Sequence, residues 1–319
     1  MRKLIDQTSL EDRLRKNLQN RLLPDRFLYV GQNGAENWLD LDASSGFTVA
    51  ARLTTLLKDS LPSLTHYLPK PLSYVSLGVG SGEKERMVLS AVGPESISSY
   101  IPVDISEPMV VNAADVVSDM DLRVDGIVGM LEDLPNCAAD WERPMVLAVT
   151  GNTFCNYHPD EIFPIIRSMV SPEDRFLVDF HLFDDSEDPD TVRASIEQAY
   201  RSNENVRFNL GPLISRGVPA EACEFRLDLV PVENLSEKVY RTNKTIAIRR
   251  RCAAVFNDST VDFRAGDTIQ LGFTYKYTAN QILEIFDHYG FQIYALYHDR
   301  PHTNMLVLAG SQSTREDLQ

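Results

Sequence analysis

The sequence is poor in the features that would commit a chain to a membrane, a disulfide framework or a nucleic acid. Its four cysteines, Cys137, Cys155, Cys223 and Cys252, are scattered, with no C-x-x-C pair and no zinc-ligand spacing. Reduced thiols in a cytoplasmic protein are the expectation. No apolar run approaches the roughly 20 residues that a bilayer-spanning helix needs. The opening residues MRKLIDQTSLEDRLRKN have early basic residues but no apolar stretch behind them, so no secretory signal is expected there. Positive charge is also short. Against 46 Asp and Glu stand 31 Lys and Arg, a formal net charge of −15. That balance repels phosphate backbones and anionic lipid, and it argues against nucleic-acid and membrane partners. The basic run Arg249-Arg250-Arg251 reads as a solvated strand end. His158, His181, His298 and His302 are too dispersed to suggest a metal site, and none is expected.

What is present is an ordinary globular composition, 43% hydrophobic and 24% charged, in a chain of 319 residues. That length implies one large domain or two intimately packed ones. Residues 4–22 carry leucines on a helical period and end at Pro24. Residues 47–60 suggest a second helix, broken by Pro62. From residue 74 onward, apolar strand patterns (74–77, 97–104, 123–129, 145–150, 175–182) alternate with helical ones (107–117, 159–169). Such alternation implies a doubly wound parallel sheet. Residues 223–275 instead show β-rich runs separated by turn residues, and read as an inserted antiparallel meander. A helix over 278–288 and a strand pair near 291–297 and 305–308 close the first module. The polar tail 311–319 is expected to fray.

The densest signal lies at residues 74–104. An apolar strand enters the turn Gly78-Val79-Gly80-Ser81-Gly82, a helix follows, and the next strand ends on Asp104. Glycine removes Cβ and permits positive φ, so backbone can approach a nucleoside-bearing ligand. An acidic residue at the second strand end is where a ribose diol needs an acceptor. A dinucleotide site would carry a third glycine, but that position is Glu83. Glu83 and Glu85 also place acidity at the helix start, where a pyrophosphate would sit. S-adenosylmethionine has no phosphate and carries a cationic sulfonium, and it is the cofactor these residues favour. A third strand end, TGNTFCN, is rich in small and amide residues. Asn156 there can serve a substrate carboxylate or amine, or cap a helix.

Seven segments, in order, resemble the histidine-specific methyltransferase family, S-adenosylmethionine-dependent amino-acid α-N-methyltransferases of ergothioneine biosynthesis. They are LPDRFLYVGQNGAENW, LGVGSGEK, YIPVDIS, VDGIVGMLEDL, TGNTFCN, QAYRSNENVRFN and IQLGFTYKYT. The resemblance covers nearly the whole chain. It implies a Rossmann-like α/β methyltransferase sheet with an inserted β-rich substrate-capping domain. It implies that Gly78, Gly80, Gly82, Lys84 and Asp104 serve the cofactor. It makes Tyr29 the residue beside the amino nitrogen, and Asn156 and Tyr200 the pair holding the amino acid's carboxylate. Met130 falls where the family has an aspartate near adenine, with Glu132 or Asp133 as substitutes. Gly272 falls on the glutamate that reads an imidazole, and Thr274 on its serine partner. Gly272 and Phe273 are expected to leave room for a larger or less polar side chain, so histidine should be a poor substrate.

The expected organisation is a cofactor domain of residues 51–188 plus 279–319, and a substrate-binding domain of 1–50 plus 189–278. The expected activity is N-methylation of the α-amino group of an amino acid or amino-acid derivative. The residues leave open a non-catalytic S-adenosylmethionine binder, and a methyltransferase acting on a different small amine or a hydroxyl. They do not address oligomeric state.

Overall fold

A computed structural model describes residues 1–44, 48–234 and 237–312. The chain divides into two compact units. One comprises Met1–Leu4, Val49–Ser186 and Lys276–Gln319, and the other Ile5–Thr48 and Glu187–Tyr275.

The first unit is α/β, built on an eight-stranded sheet. Its order is Arg2–Lys3, Ile127–Val128, Ile97–Asp104, Leu72–Leu77, Met145–Val149, Arg175–His181, Asn304–Ser311, Phe291–His298. Every residue of Leu72–Leu77 and Met145–Val149 is buried. Continuous apolar runs of this kind belong to parallel strands covered on both faces. The Leu72–Leu77 strand pairs in parallel on both sides, Val75 opposite Ile101 and opposite Leu147. Strand order therefore reverses there, which opens a crevice at the strands' carboxyl ends. The C-terminal strands form an antiparallel edge, with Val307 opposite Val178 on one side and opposite Leu296 on the other. The Arg2–Lys3 strand, which hydropathy does not announce, adds in parallel beside Ile127–Val128.

The second helix does not stop at Pro62 but runs through it, spanning Thr48–Leu64. Proline inside a helix costs about 3 kcal/mol. Here the helix buries Leu53, Leu56, Leu57, Leu61 and Leu64, and each buried leucine returns about 1.5–3 kcal/mol. Leu57 and Leu64 join Val88, Leu89, Tyr100, Val146, Leu177 and Leu308 in the core.

The second unit carries a four-stranded sheet ordered Leu22–Leu23, Thr268–Lys276, Glu237–Ile248, Cys223–Asn234. The expected simple meander is corrected. After Glu237–Ile248 the chain leaves for a separate hairpin, Cys252–Phe256 with Ser259–Phe263, before returning as Thr268–Lys276. The helices Gly31–Asp42, Pro189–Ala199 and Asn203–Ile214 have no counterpart among the sequence expectations. Two of them begin at side-chain caps, Asp188 accepting from the Thr191 N–H at 2.9 Å and Ser202 from the Asn205 N–H at 3.2 Å. Ser311 lies in a strand rather than a frayed tail, and residues 313–319, like Phe47, lie outside the described residues.

Among the described residues no helix is long and apolar enough to cross a membrane. Truncating Leu57 to alanine empties part of the core under the sheet. Denaturant unfolding of Leu57→Ala should show a loss of about 2–5 kcal/mol; a loss below 1 kcal/mol would mean that this helix does not hold the sheet.

Candidate functional site

In the first unit the glycine turn, Asp104 and the TGNTFCN loop follow three adjacent parallel strands, at their carboxyl ends. Gly78, Gly80 and Gly82 all have positive φ. At Gly82 a Cβ would stand 3.0 Å from the Ala113 Cα, so helix and turn meet backbone to backbone. At Gly78 it would stand 3.3 Å from the Thr153 side chain. Asn112 pins the turn by donating from Nδ2 to the Ser81 carbonyl at 2.8 Å. The result is a cradle of bare backbone, with Asp104 at the neighbouring strand end. This fits a nucleoside ligand that needs a diol acceptor and no phosphate partner.

Asp104 is only partly exposed, and its Oδ1 accepts from the Ser106 N–H at 2.8 Å. Burial pushes its carboxyl up to about 7, against the N–H groups of Ser106, Ile105 and Val79 that hold it down. Glu85 does not contribute acidity at the helix start as expected. It is buried, accepts from Ser76 Oγ at 2.7 Å, and burial raises its pKa. Only Glu83, which is exposed, remains as an acidic side chain facing solvent in that first turn. Lys84 reaches back to the third loop, its Nζ 3.2 Å from the Cβ position of Gly151. Met130 is buried, and its backbone N–H donates to Asp133 Oδ2 at 3.4 Å, which places the Asp133 carboxylate beside that position.

Sequence reasoning missed Asp179. Its two oxygens accept from the Gly151 N–H at 2.8 Å and the Asn152 N–H at 2.6 Å. Asn152 sits at φ 61 and accepts through Oδ1 from the His181 N–H at 2.9 Å. The loop bearing Asn156 is thereby fastened to the Arg175–His181 strand. The signal was present in the alternation of RFLVDFHL, where a carboxylate interrupts a buried strand. His181 in turn meets the Lys276 Nζ through Nδ1 at 2.7 Å. Burial, with Lys276 and Arg52, holds that imidazole neutral well below its usual range. Among the described residues, no group of three His, Cys, Asp or Glu side chains is placed to hold a metal ion.

In the second unit Tyr29 follows the short turn Asp25–Leu28 and packs against Trp38 and Phe208, ring centroids 5.4 and 5.1 Å away and edge-on. Trp38 and Phe208 also touch each other at 5.5 Å. A Cβ on Gly34 would stand 2.6 Å from the Tyr29 carbonyl carbon and 2.7 Å from the Leu28 oxygen, so only glycine lets this helix close on that backbone. Tyr200 is buried at the end of the Pro189–Ala199 helix, and its carbonyl accepts from Asn205 Nδ2 at 2.6 Å. Thr274 is buried, its N–H donating to Thr242 Oγ1 at 2.9 Å. Gly272 does not face empty space. A Cβ there would stand 2.6 Å from both oxygens of Asp25. Phe273, by strand alternation, points to the opposite face, where the Arg241 guanidinium lies 4.9 Å over its ring. The expected room for a larger side chain at Gly272 and Phe273 is thus not there.

Comparison with known families matches residues 7–311 to the family described as histidine-specific methyltransferase, SAM-dependent. No curated protein matches the sequence. Among solved structures, a S-adenosylmethionine-dependent methyltransferase from Clostridium acetobutylicum ATCC 824 is similar, at 9% identity and a TM-score of 0.44, covering 82% of this chain and 92% of the other. A protein from Pyrococcus horikoshii OT3 is similar at 12% identity and a TM-score of 0.44, covering 85% and 93%.

Two outcomes follow from this geometry. A carboxylate accepts from a diol best when ionised, and Asp104 loses its charge as pH falls through about 7. Calorimetric affinity for S-adenosylhomocysteine should therefore tighten from pH 6 to pH 8. Asp104→Asn should flatten that slope relative to the unchanged protein and weaken binding by about 1.5–3 kcal/mol; an equal slope in the variant would remove Asp104 from the ribose. Gly34→Ala forces a methyl group into the Leu28–Tyr29 backbone. It should cost about 1–3 kcal/mol of stability and, where the protein still folds, turnover more than cofactor affinity.

Proposed function

The chain belongs to the S-adenosylmethionine-dependent, histidine-specific methyltransferase family, and within it we propose that it methylates the α-amino group of an amino acid or amino-acid derivative other than histidine. The observation that carries this reading is Tyr29. In the family resemblance it stands beside the amino nitrogen, and here its ring is held on two sides by Trp38 and Phe208 and its backbone by Gly34.

S-adenosylmethionine supplies an electrophilic methyl group on a sulfonium, and direct attack by a neutral amine leaves a thioether and an N-methylated product that sheds one proton. The residues have little covalent work, and their part is to orient and to hold charge. Tyr29 positions the amine and, directly or through water, accepts its proton. Asn156 and Tyr200 are assigned the substrate carboxylate. Asp104 takes the ribose hydroxyls, and the glycine turn admits the rest of the nucleoside against bare backbone.

The preference against histidine is supported by position 272. Where the family carries a glutamate, this chain has glycine, and the carboxylate nearest that point is already paired with Lys244 at 2.6 Å. A carboxylate so neutralised favours an imidazolium far less than a free one does.

The test is a methyl-transfer screen of the free amino acids, histidine and tryptophan included, read by S-adenosylhomocysteine release and product mass. Turnover of a non-histidine amino acid is expected. Asn156→Ala should lower its kcat/KM about 10- to 100-fold, the loss of a hydrogen bond to a charged group. Histidine as the best substrate would overturn the side-chain assignment. Unchanged turnover in Asn156→Ala would move the reaction to an amine or hydroxyl without a carboxylate to hold.

A further inference from the structure

Four side-chain positions share one face of the second unit's sheet. Gly272 and Thr274 lie on it from one strand, and Thr242 and Lys244 from the next. Thr242 and Thr274 hold the two strands together, the Thr274 N–H donating to Thr242 Oγ1 at 2.9 Å. Asp25, at the start of the turn leading to Tyr29, reaches this face. Its Oδ2 is 2.6 Å from Lys244 Nζ, and the side chains are only 12% and 7% exposed. Its Oδ1 is enclosed and has no hydrogen-bond partner among the described residues.

The position of this carboxylate is telling. Both oxygens lie 2.6 Å from where a Cβ on residue 272 would stand. A glutamate at 272 would carry its own carboxylate carbon about 2.5 Å from that Cβ, two C–C bonds away. Asp25 thus delivers a carboxylate into the volume that a glutamate at 272 would fill, from a different segment of the chain. Glycine at 272 is what admits it, since any side chain there would collide with it. A buried acceptor without a donor is costly, and a ligand that displaces the groups now covering Oδ1 would supply the missing donor.

We propose that Asp25 is a specificity-determining residue, its Oδ1 accepting a hydrogen bond from a neutral N–H on the substrate side chain while Lys244 holds Oδ2. This rests on the α-amino methyltransferase reading above. Lys244 is the positioning residue and sets the preference. It has cancelled the carboxylate's charge, so a cationic donor gains little and meets the ammonium as well. A neutral donor that does not ionise, such as an indole N–H, is favoured over an imidazole, and both over a side chain with no donor. A site built around such a bond rejects an isostere that lacks the donor, because the acceptor is then left unpaired.

The experiment compares kcat/KM for L-tryptophan, for its benzothiophene analogue with sulfur in place of the N–H, and for L-phenylalanine. It uses the unchanged protein, Asp25→Ala, and the double variant Asp25→Ala/Gly272→Glu, with S-adenosylhomocysteine binding measured on each preparation. In the unchanged protein tryptophan should lead its analogue by about 100-fold or more. Asp25→Ala should bring the two within about threefold by lowering tryptophan alone. The double variant, which returns a carboxylate to the same volume and a partner to Lys244, should recover at least a tenth of the lost preference, and it keeps the test valid if Asp25→Ala fails to fold. Equal turnover of tryptophan and its analogue in the unchanged protein would overturn the proposal. So would methylation of phenylalanine with tryptophan inert, or a parallel fall of all substrates in Asp25→Ala without rescue, which marks a purely structural ion pair. No turnover of any amino acid, with cofactor binding intact, would defeat the α-amino reading itself and Asp25 with it.

Discussion

One buried carboxylate organises the first unit. Asp179 lies buried in the sheet, where its strand passes from a parallel to an antiparallel neighbour; an unpaired charge is expensive there, and burial raises its pKa accordingly. What keeps it tolerable is that both oxygens end on backbone N–H groups, those of Gly151 and Asn152, with Lys84 close enough to favour the charged form. Asn152, at φ 61, holds a backbone conformation uncommon for a non-glycine residue, and these bonds help to fix it. The consequence spreads outward. Lys84 follows directly on the glycine turn, and Thr153 of the anchored loop packs on Gly78. The glycine turn and the loop that carries Asn156 are therefore one mechanical piece, hung from a single side chain on the next strand.

The second unit solves its placement problem by shape rather than charge. Tyr29 is constrained by a helix that approaches its backbone over Gly34, and by two aromatic edges. Edge-to-face contacts of this kind are worth roughly 0.5–1.5 kcal/mol each beyond their buried area. The ring and the backbone of this tyrosine are thus fixed by packing.

Much of this was legible in the sequence. The strands of the first unit are continuous apolar runs, and Leu72–Leu77, Met145–Val149 and Arg175–His181 stand within two residues of where hydropathy puts them. The Pro159–Met169 helix begins and ends as its proline and first-turn acids dictate. The tight turn at Gly78–Gly82 and the strand ending on Asp104 also stand where the sequence puts them, because glycine spacing and an apolar run are local signals. What stayed hidden was non-local. Pro62 reads as a helix end until one sees how many leucines the last turns bury. The Gly31–Asp42 helix opens GQNG, four residues that propensity alone would place in a turn. The Thr268–Lys276 strand was visible, but not that a hairpin precedes its return to the sheet. Asp179 was a residue in a strand pattern, with no local mark of the loop it holds.

Position 272 shows most clearly why a site cannot be read residue by residue. By alignment with a family, glycine there is the loss of a carboxylate. By volume, the carboxylate is present and comes from Asp25. The two positions are coupled by exclusion, because a side chain at 272 and the Asp25 carboxylate cannot occupy the same space. They are coupled by charge as well, because Lys244 is buried and must have an anionic partner from one of them. Removing Asp25 while leaving glycine strands the lysine, and adding glutamate while leaving Asp25 crowds two carboxylates around one ammonium. Only the paired arrangements are stable, one acid and one base, so the charge on this face stays near zero whichever segment supplies the acid. What changes between them is the direction from which the second oxygen is presented. On the proposal that Asp25 reads the substrate side chain, that direction, rather than the presence of a carboxylate, is what a bound side chain would have to match.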